Sequence, residues 1–214
     1  MDHRDMGVYS WLMAKGYDLA MYKTEQRCLQ KWRSELLLRA TGELLEIGAG
    51  TGVNLPHYPT HLKRLTLSEP DRHMRLKLQK KLSTEQQHPT RIAAWGAEQI
   101  GLPDQSVDTI VSTLVLCSVN DQQQALKELH RLLRPGGQLL FLEHVIARNP
   151  GTVRWQKLCE PFWSRCSGNC RLTRDTAGAI EAAGLQIERL TEDDMTPAPT
   201  IIKRTIRGVA RKTS

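Results

Sequence analysis

The sequence contains no hydrophobic run long enough to cross a membrane. No window of its 214 residues approaches the roughly 18 to 20 consecutive apolar residues that a spanning helix needs. The first part of the chain also lacks the short apolar core of a secretory signal. These absences predict a cytoplasmic protein with no integral membrane segment.

Aromatic residues are scarce, and the cysteines are few and odd in number. Aromatic side chains make up 5% of the chain, and the basic residues behind its net charge of +7 are scattered without interleaved aromatics. A groove for single-stranded nucleic acid combines both, so we expect no nucleic-acid partner. The five cysteines cannot all pair, and without an export signal they indicate reduced thiols rather than a disulfide framework.

The length and the apolar content predict one large folded domain. A chain of 214 residues with 40% hydrophobic residues can build a single core, as a monomer or a dimer. Residues 8–39 carry apolar groups at helical spacing, such as Leu29, Trp32 and Leu36, and Gly42 ends this stretch. We therefore predict a helical cap over residues 1–41 and a main domain over residues 42–214.

From Gly42 onward, short apolar runs alternate with amphipathic stretches. This alternation is typical of an α/β fold, and we predict a Rossmann-like, seven-stranded, mostly parallel sheet with helices on both faces and an antiparallel last strand. The predicted strands are Glu43–Ile47, Leu65–Ser68, Ile92–Trp95, Val107–Thr113, Gln138–His144, Gln186–Leu190 and Ile202–Ala210. The predicted helices are Asp71–Leu82, one that starts at an Asp121 N-cap and stops before Pro135-Gly136-Gly137, and Thr173–Ala183 with Thr173 as N-cap and Gly184 after it.

The first strand runs directly into a turn with glycines at positions 48, 50 and 52. Glycine permits a positive φ and lets a ligand approach the backbone closely. A dinucleotide fingerprint would place its third glycine at position 53, where Val53 stands, and no Gly-Lys-Ser or Gly-Lys-Thr follows. The turn therefore does not favour a phosphate ligand, and one alternative is that its glycines serve only tight packing.

Two acidic residues flank this turn and indicate a cationic nucleoside. Glu46 lies two residues before the first glycine, where it would attract an ammonium group and repel a phosphate. Glu69 ends the second strand, in Ser68-Glu69-Pro70-Asp71, where a carboxylate accepts hydrogen bonds from a ribose diol. A nucleoside with an amino-acid tail and no phosphate fits both acids, which predicts S-adenosylmethionine as the cofactor.

Later motifs resemble those of the class I methyltransferases. The segments Gly96-Ala97-Glu98, Leu102–Asp108 and Leu133–Gly137 are similar to conserved turns of that family. The resemblance runs from about residue 42 to the C-terminus and implies that the backbone beside Ala97 and the side chain of Glu98 face the adenine. It implies that the cofactor is bound by Glu46, Gly48, Gly50, Thr51, Gly52, Asn54, Glu69, Pro70, Ala97, Glu98 and Leu114.

Three further segments resemble the thiol S-methyltransferases of the methyltransferase-like seven type. They are Thr113–Val119, Glu143-His144-Val145 and Gly168–Arg174. This resemblance implies an enzyme of sulfur metabolism that methylates a small thiol or hydrosulfide. A quinone ring, a lipid amine or arsenite is the alternative acceptor, and a non-catalytic cofactor-binding module is the alternative to an enzyme.

The candidate catalytic residues are His144, Cys117 and Arg174. His144 ends a central strand where substrate meets cofactor, so it is a candidate for handling a proton or orienting the acceptor. Cys117 follows the fourth strand and would line the acceptor site, and Arg174 would attract an anionic thiolate. Glu143 is expected on the opposite face of its strand from His144.

We expect no metal site from the remaining cysteines, Cys159, Cys166 and Cys170. Their spacing matches no zinc motif, and no adjacent histidine completes a tetrahedron. Trp155, Phe162 and Trp163 recur at helical spacing before them, and either roof the acceptor pocket or pack the core.

Overall fold

The computed structural model describes residues 16, 19–85 and 88–213. Its sheet has seven strands, as the alternation of the sequence predicts, and their order is β3-β2-β1-β4-β5-β7-β6. Strand β7 is antiparallel to both of its neighbours, and the other pairings are parallel. The strands are β1 (Glu43–Ile47), β2 (Arg64–Ser68), β3 (Thr90–Ala93), β4 (Val107–Thr113), β5 (Leu133–His144), β6 (Leu185–Asp194) and β7 (Arg204–Lys212).

Among the described residues, five α-helices with defined bounds flank this sheet. They are α1 (Gln30–Leu37), which continues a π-helical turn over Glu25–Leu29, α2 (Arg72–Glu85), α3 (Gln122–Leu132), α4 (Pro150–Cys166) and α5 (Thr176–Ala182). The predicted cap of α3 is confirmed, because the Asp121 side chain accepts a hydrogen bond from the N–H of Gln124 at 2.9 Å.

The predicted N-cap of α5 is wrong. Asp175 caps this helix by accepting from the N–H of Gly178, and the helix begins at Thr176. The hydroxyl of Thr173 instead donates a hydrogen bond to the carboxylate of Glu160 on α4 at 2.8 Å, which is a tertiary contact and not a helix cap. Gly184 follows the helix with a φ of +82°, as predicted.

Several strand boundaries also differ from the predictions. Strand β3 ends at Ala93, two residues before the predicted end at Trp95. Strand β6 extends to Asp194, beyond its predicted end at Leu190, and β7 begins and ends two residues later than predicted, at Arg204 and Lys212. Charged side chains pair across these two strands, as Arg211 does with Glu188 at 2.7 Å.

Each face of the sheet is covered by its own hydrophobic cluster. Helices α3 and α5 bury Leu126, Leu129 and Ile180 on one face. On the other face α1 and the turn before it bury their apolar side chains against the strands, among them Leu29, Trp32, Leu36, Leu44, Leu140 and Val209. The described part of the predicted 1–41 cap thus packs on the sheet itself, and residues 1–15, 17 and 18 lie outside the described residues.

The parallel strands β1, β2, β4 and β5 end at one edge of the sheet, which brings Ile47, Ser68, Thr113 and His144 to the same side. In an open α/β sheet this edge holds the ligand crevice. Within the described ranges, no helix combines the length and the apolar character that a membrane crossing requires.

Candidate active site

The three glycines after β1 have three different surroundings. All have a positive φ, of +56° at Gly48, +56° at Gly50 and +81° at Gly52. A Cβ on Gly48 would lie 2.6 Å from the side chain of Val115, and one on Gly52 would lie 2.8 Å from Leu78, so packing explains both. A Cβ on Gly50 would meet no atom closer than 4.0 Å. Packing therefore does not explain Gly50, which faces open space at the crevice.

Glu69 accepts a hydrogen bond directly from this glycine turn. One carboxylate oxygen accepts from the N–H of Gly50 and the other from the N–H of Asp71, each at 2.8 Å. Burial raises the pKa of Glu69, and these two backbone hydrogen bonds lower it in part. A carboxylate has about four acceptor positions, so both oxygens can still accept from a ribose.

Glu46 lies beneath the turn and is 1% exposed. Its carboxylate accepts from the side-chain amide of Asn54 at 2.7 Å and from the hydroxyl of Tyr58 at 2.8 Å. Burial raises the pKa of Glu46, against the effect of these hydrogen bonds. Acceptor positions remain on both oxygens, so the carboxylate can still accept from an ammonium group. That contact stays a prediction.

Arg33 is a buried cation of this site that the sequence analysis missed. It is 2% exposed and donates to the side-chain oxygen of Asn54 at 2.9 Å and to the hydroxyl of Thr113 at 2.8 Å. It also pairs with Glu25 at 3.0 Å. Its positive charge lowers the pKa of Glu46, so helix α1 contributes to the electrostatics of the site.

The other predicted cofactor residues surround the same edge. Thr51 and Ala97 are buried and Pro70 is exposed. Leu114 has a positive φ of +59° and donates its N–H to the carbonyl of Leu142 at 2.7 Å, a strained conformation typical of functional sites.

Glu98 lies at one wall of a cleft beside the end of β3. The cleft has a volume of about 640 Å³ and is also lined by Trp95 and Asn120. The carboxylate of Glu98 accepts from the N–H of Asn120 at 2.8 Å, so it holds the start of the segment that leads into α3. Its contact with adenine stays a prediction.

Glu143 organises the loop after β4, a role that the sequence analysis missed. Its buried carboxylate accepts from the hydroxyl of Ser112 at 2.7 Å and from the backbone N–H groups of Val115, Leu116 and Cys117 at 3.1 to 3.2 Å. Burial raises its pKa, and these four donors oppose that rise. The loop therefore has a fixed shape that depends on one carboxylate.

Arg174 holds the same loop from its other side. Its guanidinium donates to the carbonyl of Leu116 at 2.5 Å and to that of Val119 at 2.6 Å. These contacts make it a positioning residue, and its attraction for a thiolate stays a prediction.

Cys117, His144 and Cys170 meet where this loop faces the end of β5. One ligand atom of each lies within 4.8 Å of the others, and the Cys170 sulfur is 3.5 Å from Nδ1 of His144. Cys117 and His144 are both 2% exposed, whereas Cys170 is partly exposed. The Cys117 thiol faces that of Cys170, which raises the pKa of Cys117 and lowers that of Cys170.

Of the three cysteines considered together in the sequence, Cys170 alone belongs to the cluster. Cys166 is exposed and Cys159 half-buried, and neither belongs to the cluster of Cys117, His144 and Cys170. Of the aromatic residues on α4, Trp155 is 62% and Phe162 73% exposed, so core packing does not explain them. Trp163 lies near Cys170 and lowers the pKa of its thiol.

Comparisons with known proteins agree with this geometry. A family model described as a methyltransferase domain matches residues 45–141. The human thiol S-methyltransferase TMT1A is 30% identical over 221 residues, which cover 97% of this chain and 90% of TMT1A. The chain belongs to the S-adenosylmethionine-dependent methyltransferase family. S-adenosylmethionine is accordingly its cofactor, as the two acids beside the glycine turn predict.

Two further likenesses extend this result. The human thiol S-methyltransferase TMT1B is 40% identical over 153 residues, 68% of this chain, and the chain spans 62% of TMT1B. A solved S-adenosylmethionine-dependent methyltransferase from Thermotoga maritima has a TM-score of 0.69 at 19% identity, covering 97% of this chain and all of that one (100%). The structural likeness shows the Rossmann-like fold.

The residues at the edge of the sheet fit this cofactor. The open space beside Gly50 leaves room for a ligand against the backbone, and Glu69 offers acceptors for a ribose. Glu46 places a buried negative charge below the turn, which suits a ligand with a positive charge and no phosphate.

Proposed function

We propose that this methyltransferase transfers the methyl group of S-adenosylmethionine to a small thiol or to hydrosulfide. The observation that carries the proposal is the cluster of Cys117, His144 and Cys170 at the edge of the sheet where the cofactor site lies. The names of TMT1A and TMT1B support the same acceptor class.

The loop after β4 links this cluster to the glycine turn. Val115 packs against Gly48, so close that a Cβ there would lie 2.6 Å from the Val115 side chain. Cys117 follows two residues later, and two residues span at most about 7 Å. The cluster therefore lies close to the glycine turn, which supports an acceptor position beside the cofactor.

The cofactor supplies a methyl group on a sulfonium, and a nucleophile that attacks the methyl carbon in line displaces S-adenosylhomocysteine. Most of the acceleration then comes from aligning the acceptor and from excluding water. Glu143 and Arg174 fix the loop that carries Cys117, and the burial of Cys117 and His144 keeps the acceptor side dry. A thiol has an ordinary pKa near 8.5, so a group that favours its thiolate raises the rate at neutral pH.

His144 is the residue of the cluster that we expect to matter most for the acceptor. Its Nδ1 contacts the Cys170 sulfur, and among the described residues its buried Nε2 has no hydrogen-bond partner. We expect His144→Gln to lower kcat/KM for small thiols by roughly 10-fold to 100-fold. The affinity for S-adenosylhomocysteine should stay unchanged, because the proposal assigns His144 to the acceptor and not to the cofactor.

The test is a panel of acceptors with labelled S-adenosylmethionine. Hydrosulfide, methanethiol and larger alkyl thiols should be methylated, and the rate at low thiol should rise across pH 7 to 9, about the range in which a thiol ionises. The exposed His61 provides a matched control, so His61→Gln should behave as the wild type. Good turnover of a quinone, a lipid amine or arsenite with no turnover of thiols would refute the proposal. Cofactor binding without turnover of any acceptor would favour a non-catalytic module.

A further inference from the structure

The cluster of Cys117, His144 and Cys170 joins three separate parts of the fold. Cys117 lies in the loop after β4, His144 ends β5, and Cys170 lies between α4 and α5. Within the part of the chain that the structure describes, these three form the group whose ligand atoms converge within 4.8 Å. Two thiols and one imidazole are the ligands that zinc and other soft ions prefer.

The spacing of two of the three donor atoms matches that of a metal site. In a tetrahedral zinc site with Zn–S near 2.3 Å and Zn–N near 2.0 to 2.1 Å, a sulfur and a nitrogen lie about 3.6 Å apart. The Cys170 sulfur and Nδ1 of His144 are 3.5 Å apart. An ion can therefore bind between these two atoms with little movement of either side chain.

We propose that Cys117, His144 and Cys170 bind one Zn²⁺ ion, or a similar thiophilic ion, and that its open fourth position takes the sulfur of the acceptor. Three protein ligands with one open position are the arrangement of catalytic zinc sites, including sites with two cysteines and one histidine. The part that concerns the acceptor rests on the thiol methyltransferase function proposed above. The metal site itself rests on the geometry alone.

The backbone around the ligands is held in place by contacts that involve no metal. Glu143 accepts from the N–H of Cys117, and the carbonyl of Cys117 accepts from the N–H of Arg171 at 2.8 Å. The side-chain amide of Asn169 donates to the carbonyl of Ser118 at 2.8 Å. The two loops that carry the cysteines are thus bonded to each other, so the site is organised before an ion binds.

The site is also accessible from one side. Cys170 is partly exposed, while Cys117 and His144 are buried. An ion and a small acceptor can approach past Cys170, and the buried pair forms the floor.

The chemical step balances without any oxidant or reductant. The acceptor thiol binds the ion as a thiolate, displaces a water molecule and releases its proton to solvent. The sulfur then forms a bond to the methyl carbon as the bond between that carbon and the sulfonium breaks. The products are a neutral thioether and S-adenosylhomocysteine, and the ion stays bound to the protein.

Cobalt provides a test that does not depend on activity. We expect the purified, reduced protein to bind one equivalent of Co²⁺ with the thiolate charge-transfer absorption and the strong visible bands of a tetrahedral site. One equivalent of Zn²⁺ should abolish these bands. Cys170→Ser should weaken metal binding by more than about 100-fold, since even the loss of a hydrogen-bond partner of a ligand costs about 10-fold to 100-fold. Cys117→Ser serves as a second variant.

Cys166→Ser is the matched control, because Cys166 is exposed and lies outside the cluster. This variant should bind cobalt as the wild type does. The metal site is refuted if the wild type shows no tetrahedral cobalt spectrum, or if Cys170→Ser retains it. Mass spectrometry that finds a Cys117–Cys170 disulfide which persists under reductant and excludes the ion would also refute it.

The acceptor part of the inference has its own readout. Methanethiol should shift the cobalt spectrum, and removal of the metal should lower kcat/KM for thiols while the affinity for S-adenosylhomocysteine is kept. Full thiol turnover by the metal-free protein would overturn the open-position mechanism and leave the proposed function standing. A cobalt spectrum insensitive to thiols, together with turnover of a different acceptor, would overturn the proposed function and leave only the metal site.

Discussion

Removal of the Glu69 carboxylate tests the cofactor site most directly. Glu69 accepts from the N–H of Gly50 and from that of Asp71, each at 2.8 Å, and it is the predicted acceptor for the ribose. Glu69→Ala therefore removes the charged group that would accept hydrogen bonds from the ligand, and it leaves the N–H of Gly50 without its partner.

The expected loss follows from the strength of a charged hydrogen bond. Such a bond contributes about 1.5 to 3 kcal/mol, so the Kd for S-adenosylhomocysteine should rise by roughly 10-fold to 150-fold. The loss of the two backbone contacts should also lower the free energy of unfolding by about 1 to 3 kcal/mol. Both effects are large enough to separate from experimental error.

Isothermal titration calorimetry measures the affinity, and urea unfolding measures the stability. Glu35→Ala is the control, since the side chain of Glu35 is 53% exposed and forms an exposed ion pair with Lys31. A Glu69→Ala protein that is folded and binds S-adenosylhomocysteine within about twofold of the wild type would refute the ribose assignment, because a charged hydrogen bond contributes more than that.

Three further predictions concern the glycine turn, the loop after β4 and the buried acid. Gly50→Val should abolish cofactor binding in a folded protein. The control is Gly136→Val, because Gly136 has a φ of +75° and a Cβ there would meet no atom within 4 Å. This control should have similar backbone strain but bind the cofactor normally in calorimetry. Glu143→Gln should lower the free energy of unfolding by roughly 2 to 3 kcal/mol in urea, because an amide N–H₂ would face backbone donors; an unchanged midpoint would contradict its role. Burial raises the pKa of Glu46, so acidification through that raised pKa neutralises the carboxylate and should weaken cofactor binding. Calorimetry below neutral pH in two buffers of different ionisation enthalpy should show that protons are released on binding. Equal heats in the two buffers would argue against an ammonium contact.

Much of the fold follows from local patterns in the sequence. Strand β1 lies between Gly42 and Gly48, and both β1 and β4 match their predicted limits. Asp121 caps α3 because a short carboxylate accepts from the free N–H groups of the first turn, which is a local interaction. The positions of the glycine turn and of the two acids beside it can likewise be predicted from the sequence. Each lies next to the end of a strand, and the carboxyl ends of parallel strands meet at one edge of the sheet.

Contacts between distant segments could not be predicted in this way. Arg33 resembles the other basic residues of its helix, yet it occupies the same helical face as Leu29, Trp32, Leu36 and Leu37, which all become buried. That spacing was a usable signal, but its partners Asn54 and Thr113 lie 21 and 80 residues away in the chain.

The acceptor side shows the same division most clearly. Strand periodicity places Glu143 and His144 on opposite faces, but it does not reveal that the chain after β4 folds back over the sheet edge to meet both side chains. Cys170 is 53 residues from Cys117 in the chain and only the packing of the loop after α4 brings the two sulfurs within 4.8 Å. By itself the sequence determined the sheet, the glycine turn and the cofactor, because these depend on neighbours along the chain. The tertiary structure alone decided which thiols and which imidazole converge, because that depends on where two loops and the end of β5 meet in space.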